Sequence, residues 1–198
     1  MATSLPGWFQ GANGDLYGTT YSGGVHGGGT IFRITPSGKL TTVYNFCSQS
    51  GCTDGGSPYS AFLQAANGNF FGITHGGGEN GYGSIFKITP SGEFTTLYSF
   101  CSQPECADGT VPNALVQGTN GTFYGTTVTG GNGGGNGFGT FFSLSTGQAP
   151  FVETRPTSGA AGKAVTILGG KLTGATTGKV DVITPDGTLS SNVAFRIP

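Results

Sequence analysis

A motif of about 54 residues occurs three times in this chain, and this repetition limits the possible folds more than any other feature. Its copies start at Gln10, Gln64 and Gln117, so the starts lie 54 and 53 residues apart. Each copy continues with Asn-Gly, then an aromatic residue followed by Gly. Self-similarity at this period predicts stacked supersecondary units. A functional residue in such a chain is therefore expected to recur in register.

The composition favours β-structure and argues against a nucleic-acid partner. Only 9% of the residues are charged and the formal net charge is −1, so no surface for phosphate binding is indicated. Thr, Val, Ile and aromatic residues occur in short runs bounded by Gly, Asn and Pro, which is typical of strands. No apolar run is long enough to span a bilayer, and residues 1–7 lack the features of a signal peptide.

The second copy predicts a four-stranded antiparallel meander. Its expected strands are Ser60–Ala65, Asn69–Thr74, Gly83–Thr89 and Glu93–Phe100. The pair Asn67-Gly68 predicts a two-residue type I′ turn between the first two strands. Four antiparallel strands per repeat are typical of a β-propeller blade, and a linear β-solenoid is the alternative.

The expected fold is therefore all-β, with three propeller-like blades that form a partial β-propeller. We place an N-terminal tail at residues 1–7 and the repeats at 8–60, 61–113 and 114–147. The third repeat lacks a recognisable fourth strand. Closed propellers use more than three blades. We therefore expect a fragment, a half-ring completed by pairing, or an open array that self-associates through exposed blade edges.

Four cysteines occur as two identical spacings at corresponding repeat positions. These are Cys47-x4-Cys52 and Cys101-x4-Cys106. Three pairings are formally open, but a motif copied as a unit favours a disulfide within each copy. Such bridges persist in an oxidising compartment, which indicates an extracellular or cell-surface location. A metal site is the alternative, although these spacings offer no set of four good ligands.

Residues 148–198 depart from the repeat. The runs Pro150–Gly159, Gly162–Gly169, Gly178–Gly187 and Ser191–Phe195 resemble the opening and closing strands of IPT/TIG immunoglobulin-like domains. That resemblance implies a β-sandwich, but an immunoglobulin sandwich needs about 100 residues. We therefore expect an incomplete immunoglobulin-like sandwich in this segment.

The repeats themselves resemble a family of bacterial tandem repeats. Asn-Gly-Asn-Phe-Phe-Gly, Gly-Tyr-Gly-Ser-Ile-Phe-Lys-Ile-Thr-Pro-Ser-Gly and Leu-Tyr-Ser-Phe-Cys-Ser-Gln of the second copy are similar to the choice-of-anchor GloVer repeats. The resemblance covers Trp8 to about Gly147. It implies a large exported or surface-attached bacterial protein, and it transfers no catalytic residues.

Few polar residues recur in register as candidates for chemistry. Asp54 and Asp108 align, each two residues beyond the second cysteine of its pair. A turn-forming Asp before Gly explains both, and the alternative is a ring of carboxylates that binds a cation or a sugar hydroxyl. His26 and His75 occupy non-equivalent positions, which excludes a repeated histidine site. The glycine-rich loops lack the Lys-Ser/Thr of a phosphate-binding loop.

Two functional hypotheses follow from these residues. The first is a non-enzymatic scaffold or binding module for carbohydrate or a surface protein, with no cofactor and no metal, and with Asp54 and Asp108 as binding candidates. The alternative is a polysaccharide-degrading propeller enzyme with these carboxylates on the loop-rich face. The aromatic positions Tyr17, Phe71 and Tyr124 are interpreted as core rather than as a sugar-stacking platform.

Overall fold

The protein is described by a computed structural model, which covers residues 8–11, 13–59, 62–65, 67–131 and 137–147, together with four later strands. All regular elements in these ranges are strands, apart from two short 3₁₀ turns at Ser50–Cys52 and Pro104–Cys106. The expected all-β class is therefore confirmed. Residues 1–7 and most of 148–198, for which the sequence predicts a tail and an immunoglobulin-like segment, lie outside the described residues.

Three antiparallel sheets follow one another along the chain, and we call them sheets I, II and III. Sheet I contains β1 (Phe9–Gln10), β2 (Leu16–Thr20), β3 (Thr30–Ile34) and β4 (Leu40–Asn45), in that order. Sheet II contains β5 (Gly56–Pro58), β6 (Leu63–Gln64), β7 (Phe70–Gly76), β8 (Ser84–Ile88) and β9 (Phe94–Ser99). Sheet III contains β10 (Thr110–Gln117), β11 (Phe123–Thr129) and β12 (Phe141–Leu144). The meander expected for each repeat is thus present in sheets I and II, and the described part of sheet III has three strands.

Sheet II has a strand that the sequence did not predict. Its outer edge is split between β5 and β6, both of which pair with β7. Strand β5 lies within the range 8–60 assigned to the first repeat, but Gly56 pairs with Gly76 of the second sheet. The corresponding edge of sheet III is the continuous strand β10, with a register shift between Pro112 and Ala114.

The prediction of a two-residue type I′ turn at the Asn-Gly pairs was wrong. In the fully described third copy, Gly121 N donates to Gly118 O at 2.8 Å and Gly118 N donates to Thr122 O at 2.8 Å. Three residues lie inside this closure, and Gly121 alone of the Asn-Gly pair has positive φ, at 83°. Asn120 keeps an ordinary φ because its Oδ1 accepts from Thr122 N at 3.0 Å. This is the three-residue hairpin with glycine in the left-handed position.

Two apolar clusters hold the sheets together, and we call them seams. Seam 1 joins one side of sheet I, with Tyr17, Ile31 and Phe46, to one side of sheet II. The residues of sheet II in this seam are Phe62, Phe70, Phe86 and Ile88. Seam 2 repeats the arrangement between the other side of sheet II and sheet III. The core is thus a series of contacts between successive sheets, and this supports the interpretation of Tyr17 and Phe71 as core residues.

The last four described strands form two antiparallel pairs. They are β13 (Val152–Arg155) with β14 (Thr166–Gly169), and β15 (Asp181–Thr184) with β16 (Gly187–Ser190). The described residues of 148–198 thus comprise two two-stranded sheets, and the expected immunoglobulin-like sandwich lies mostly outside the described residues.

Candidate functional site

The two cysteine loops lie on the same side of the sheets as the glycine-rich loops. Cys47 is bonded to Cys52, and Cys101 to Cys106, so the predicted pairing within each copy is confirmed. The glycine-rich loop of each following repeat packs on the preceding cysteine loop, since Gly78 N donates to Cys52 O at 2.9 Å and Gly131 N donates to Cys106 O at 3.0 Å. The disulfide loops therefore tie successive repeats together as well as closing themselves.

Asp54 fixes the first disulfide loop from the inside. Its carboxylate accepts from Tyr44 Oη at 2.8 Å, from Ser48 N at 2.9 Å, from Ser48 Oγ at 2.8 Å and from Gln49 N at 3.3 Å. The Asp54 side chain is fully buried, with 0% exposure. We call these four residues the carboxylate lock, because one buried anion satisfies four donors of the loop and the preceding strand.

The second repeat carries the same lock in register. Asp108 accepts from Tyr98 Oη at 2.7 Å, from Ser102 N and Oγ at 2.9 Å each, and from Gln103 N at 3.2 Å. Unlike Asp54, Asp108 is only partly buried. Recurrence in register predicts both aspartates as candidates, whereas their hydrogen-bond donors were not predicted from the sequence. The signal was present, because Tyr, Ser and Gln recur at the same distances before each Asp.

The locks change the acid–base properties of their members. Burial raises the pKa of Tyr44 to about 12, and the hydrogen bond to Asp54 acts in the same direction. The pKa of Tyr98 is also raised, first by burial and then by Asp108. Burial alone would raise the pKa of Asp108, but the hydrogen bonds from Tyr98, Ser102 and Gln103 outweigh it and hold that pKa below its ordinary value.

Alkaline titration tests the Tyr44 contact. Since the pKa of Tyr44 is about 12 in the folded protein and about 10 in an unfolded chain, its contribution to stability is complete below pH 10 and is lost as the pH rises through 12. We expect an absorbance titration at 295 nm to show a tyrosine that ionises near pH 12 and disappears in Tyr44→Phe. The exposed-site variant Tyr82→Phe should retain this step, and an unchanged titration of Tyr44→Phe would contradict the assignment.

A groove of about 370 Å³ opens beside the second lock, on seam 2. Its apolar wall includes Tyr98, Phe100 and Phe142, and its polar rim includes Gln103 and Asp108. Phe100 and Phe142 are in edge-to-face contact, with ring centroids 5.1 Å apart. The groove thus combines aromatic surface with a charged rim, as small-molecule and peptide sites commonly do.

The two seams differ in what occupies the position of this groove. In seam 1, the corresponding space holds the ring of Phe94, which stacks on Tyr44 with centroids 4.2 Å apart and an interplanar angle of 8°. The same ring lies 5.8 Å from Phe46 and 5.3 Å from Phe86. The repeat counterparts of Tyr44, Phe46 and Phe86 are Tyr98, Phe100 and Phe142, which line the groove. When Gly92 is aligned with Gly147, the counterpart of Phe94 in the sequence is Ala149.

A family model described as the Gloeobacter/Verrucomicrobia repeat matches residues 2–190 of the chain. The chain belongs to this repeat family. The match extends beyond Gly147, where the repeat resemblance was expected to end, and no separate match supports the IPT/TIG interpretation of residues 148–198. No curated protein matches the chain.

The histidines of this repeat protein lie away from the groove walls. His26 is exposed in the first glycine-rich loop. The ring of His75 stacks on Tyr59 with centroids 4.1 Å apart, and burial lowers the pKa of His75. Within the described ranges, no group of three or more His, Cys, Asp or Glu residues could hold a metal ion. The same part of the chain contains no helix that is long and apolar enough to cross a membrane.

Proposed function

We propose that this chain is a non-enzymatic repeat scaffold of an exported or cell-surface protein, with successive sheets arranged as propeller-like blades. Its groove on seam 2 is proposed to bind an extended polypeptide strand that carries an aromatic side chain. This proposal rests on one observation: the groove in seam 2 corresponds to the space that the ring of Phe94 fills in seam 1. The disulfides support export, because such bonds persist in oxidising compartments.

The carboxylate locks support a non-enzymatic role. A general acid or base must reach a proton of the substrate, but Asp54 is fully buried and its oxygens already accept four hydrogen bonds. Asp108 borders the groove, yet it accepts four equivalent hydrogen bonds. These partners make both carboxylates better suited to holding loops than to transferring protons.

The pairing of the strand that carries Phe94 in sheet II indicates how a ligand strand would lie on sheet III. In sheet II, Phe94 of β9 pairs with Ile88 of β8 in an antiparallel ladder. The counterpart of Ile88 is Leu144 of β12. A bound strand is therefore expected to run antiparallel to β12, with its aromatic residue opposite Leu144. Strand addition of this kind combines main-chain hydrogen bonds with a side-chain pocket.

The chain itself supplies the probe for this proposal. We expect a peptide with the sequence of residues 91–100 to bind the full chain, and to protect the amides of β12 against hydrogen exchange. The matched peptide with Phe94→Ala should bind at least about 10-fold more weakly, because it has no aromatic ring to fill the groove. Equal binding of the two peptides, or binding of neither by isothermal titration calorimetry, would overturn the assignment of the groove.

Carbohydrate is the second candidate ligand, because the groove places Tyr98 and Phe100 beside polar Gln103 and Asp108. A glycan array with the full chain separates this candidate from strand binding. The enzymatic alternative requires new reducing ends when the chain is incubated with polysaccharides, and their loss in Asp108→Asn.

A further inference from the structure

Each seam joins two different sides of neighbouring sheets, which we call the front and the back. The front of sheet I contributes Phe9, Tyr17 and Ile31 to seam 1, and the back of sheet II contributes Phe62 and Phe70. Phe9 lies 5.7 Å from Phe62 and 5.9 Å from Phe70, measured between ring centroids. The front of one sheet therefore packs on the back of the next sheet, so the two surfaces in each seam differ from each other.

The back of sheet I carries exposed apolar side chains. Trp8 is the repeat counterpart of Phe62, but Trp8 is 59% exposed whereas Phe62 is 7% exposed. Leu40 is the counterpart of Phe94 and is 64% exposed. Trp8 is thus open to solvent where its counterpart is buried, and Leu40 is exposed where its counterpart is partly buried.

The front of sheet III likewise carries exposed apolar side chains. Val116 is the counterpart of Phe9 and is 60% exposed. Phe141 is the counterpart of Ile31, which is 1% exposed, but Phe141 is 71% exposed. The two sides are the outer sides of the first and last of the three sheets described above, and they correspond to the two halves of one seam.

We infer that the front of sheet III docks on the back of sheet I of a second copy of this chain, and forms an intermolecular seam of the same type as seam 1. In that seam Val116 meets Trp8 of the second copy, as Phe9 meets Phe62 within the chain. The occupant is a second copy because the internal seams show which surface fits the open front, and the chain carries that surface on sheet I. The contact is heterologous, so it closes into a ring or extends as an open chain of copies.

Two single variants of the full chain test this inference by sedimentation velocity. Wild-type protein is expected to associate as its concentration rises from about 1 to about 100 μM, a range typical of weak protein contacts. Val116→Lys blocks the front and Trp8→Lys blocks the back, so each variant alone should remain monomeric. Phe138→Lys changes an exposed aromatic residue outside both surfaces and should associate as wild type does.

Mixing the two blocked variants gives the decisive result. Each retains one intact side, so an equimolar mixture should form a defined dimer through a single seam. Wild-type protein that stays monomeric at 100 μM, association that neither lysine variant weakens, or a mixture that stays monomeric would overturn the inference. Peptide binding requires only one copy, and neither Val116 nor Trp8 lines the groove, so the two lysine variants leave the peptide-binding test intact.

Discussion

Replacing Asp54 with alanine is expected to lower the free energy of unfolding by about 3 kcal/mol or more, because four donors lose a fully buried carboxylate acceptor. The variant removes the acceptor of Tyr44 Oη, Ser48 N, Ser48 Oγ and Gln49 N, while the disulfide still holds the loop closed. Since Asp54 is fully buried, water cannot easily replace the carboxylate. Urea unfolding of the oxidised protein measures the change.

The second repeat provides the matched control. Asp108→Ala removes the same four hydrogen bonds from a lock that is partly open to water, so the freed donors can be solvated. We expect a smaller loss of about 1 kcal/mol. Asp54→Asn should lie between wild type and Asp54→Ala, because it keeps one acceptor oxygen. Equal losses for Asp54→Ala and Asp108→Ala would show that burial of the lock does not determine its contribution.

The repeat made the elements and the disulfides predictable, but not the way in which they fit together. Strands β7, β8 and β9 follow from alternating β-branched and aromatic residues, and the cysteine pairing follows from duplication. Strand β5 escaped prediction because Gly56-Ser57-Pro58 has no such alternation, and Ser57 adopts a positive φ of 54°. Its place in sheet II is determined by pairing with Gly76, a contact that local sequence does not encode.

The candidate site shows a similar limit. Recurrence in register identified Asp54 and Asp108, but their hydrogen bonds depend on how the chain folds back over five to ten residues. The groove depends on a difference between repeats rather than on recurrence. Its signal in the sequence is Ala149 at the position of Phe94, and it becomes meaningful only when the ring of Phe94 is seen between Tyr44 and Phe86.

The aromatic-Gly pairs of the three repeats have a steric cause that leads to the second large expected effect. A Cβ atom built on Gly72 would lie 2.5 Å from Cζ of Phe86, the residue that faces it across β7 and β8. A Cβ atom built at the same position in the other repeats, Gly18 or Gly125, would likewise clash with Cζ of Phe32 or Phe142. A phenylalanine ring thus covers each glycine, and any side chain there would displace it.

Gly72→Ala is therefore expected to destabilise the protein by about 2 to 3 kcal/mol, which is typical of overpacking in a tight core. Phe86 cannot move aside cheaply, because it is fully buried and its ring lies 5.2 Å from Phe46 and 5.3 Å from Phe94. Thermal or urea unfolding measures the loss. Gly76→Ala is the matched control in the same strand, since the nearest atom to its built Cβ is Gly56 O at 3.9 Å and its φ lies outside the left-handed region.

A double-mutant cycle separates a steric clash with Phe86 from a nonspecific destabilising effect of alanine in β7. Phe86→Leu shortens the side chain that covers Gly72, so the loss caused by Gly72→Ala should be smaller in the Phe86→Leu background than in wild type. Interaction energies of about 0.5 to 3 kcal/mol are usual for residues in contact. Additive losses, or a Gly76→Ala variant as unstable as Gly72→Ala, would refute the steric explanation of the repeated glycine. A double-variant loss that is smaller than the sum of the two single losses would instead identify the ring of Phe86 as the reason why the motif keeps glycine after its aromatic residue.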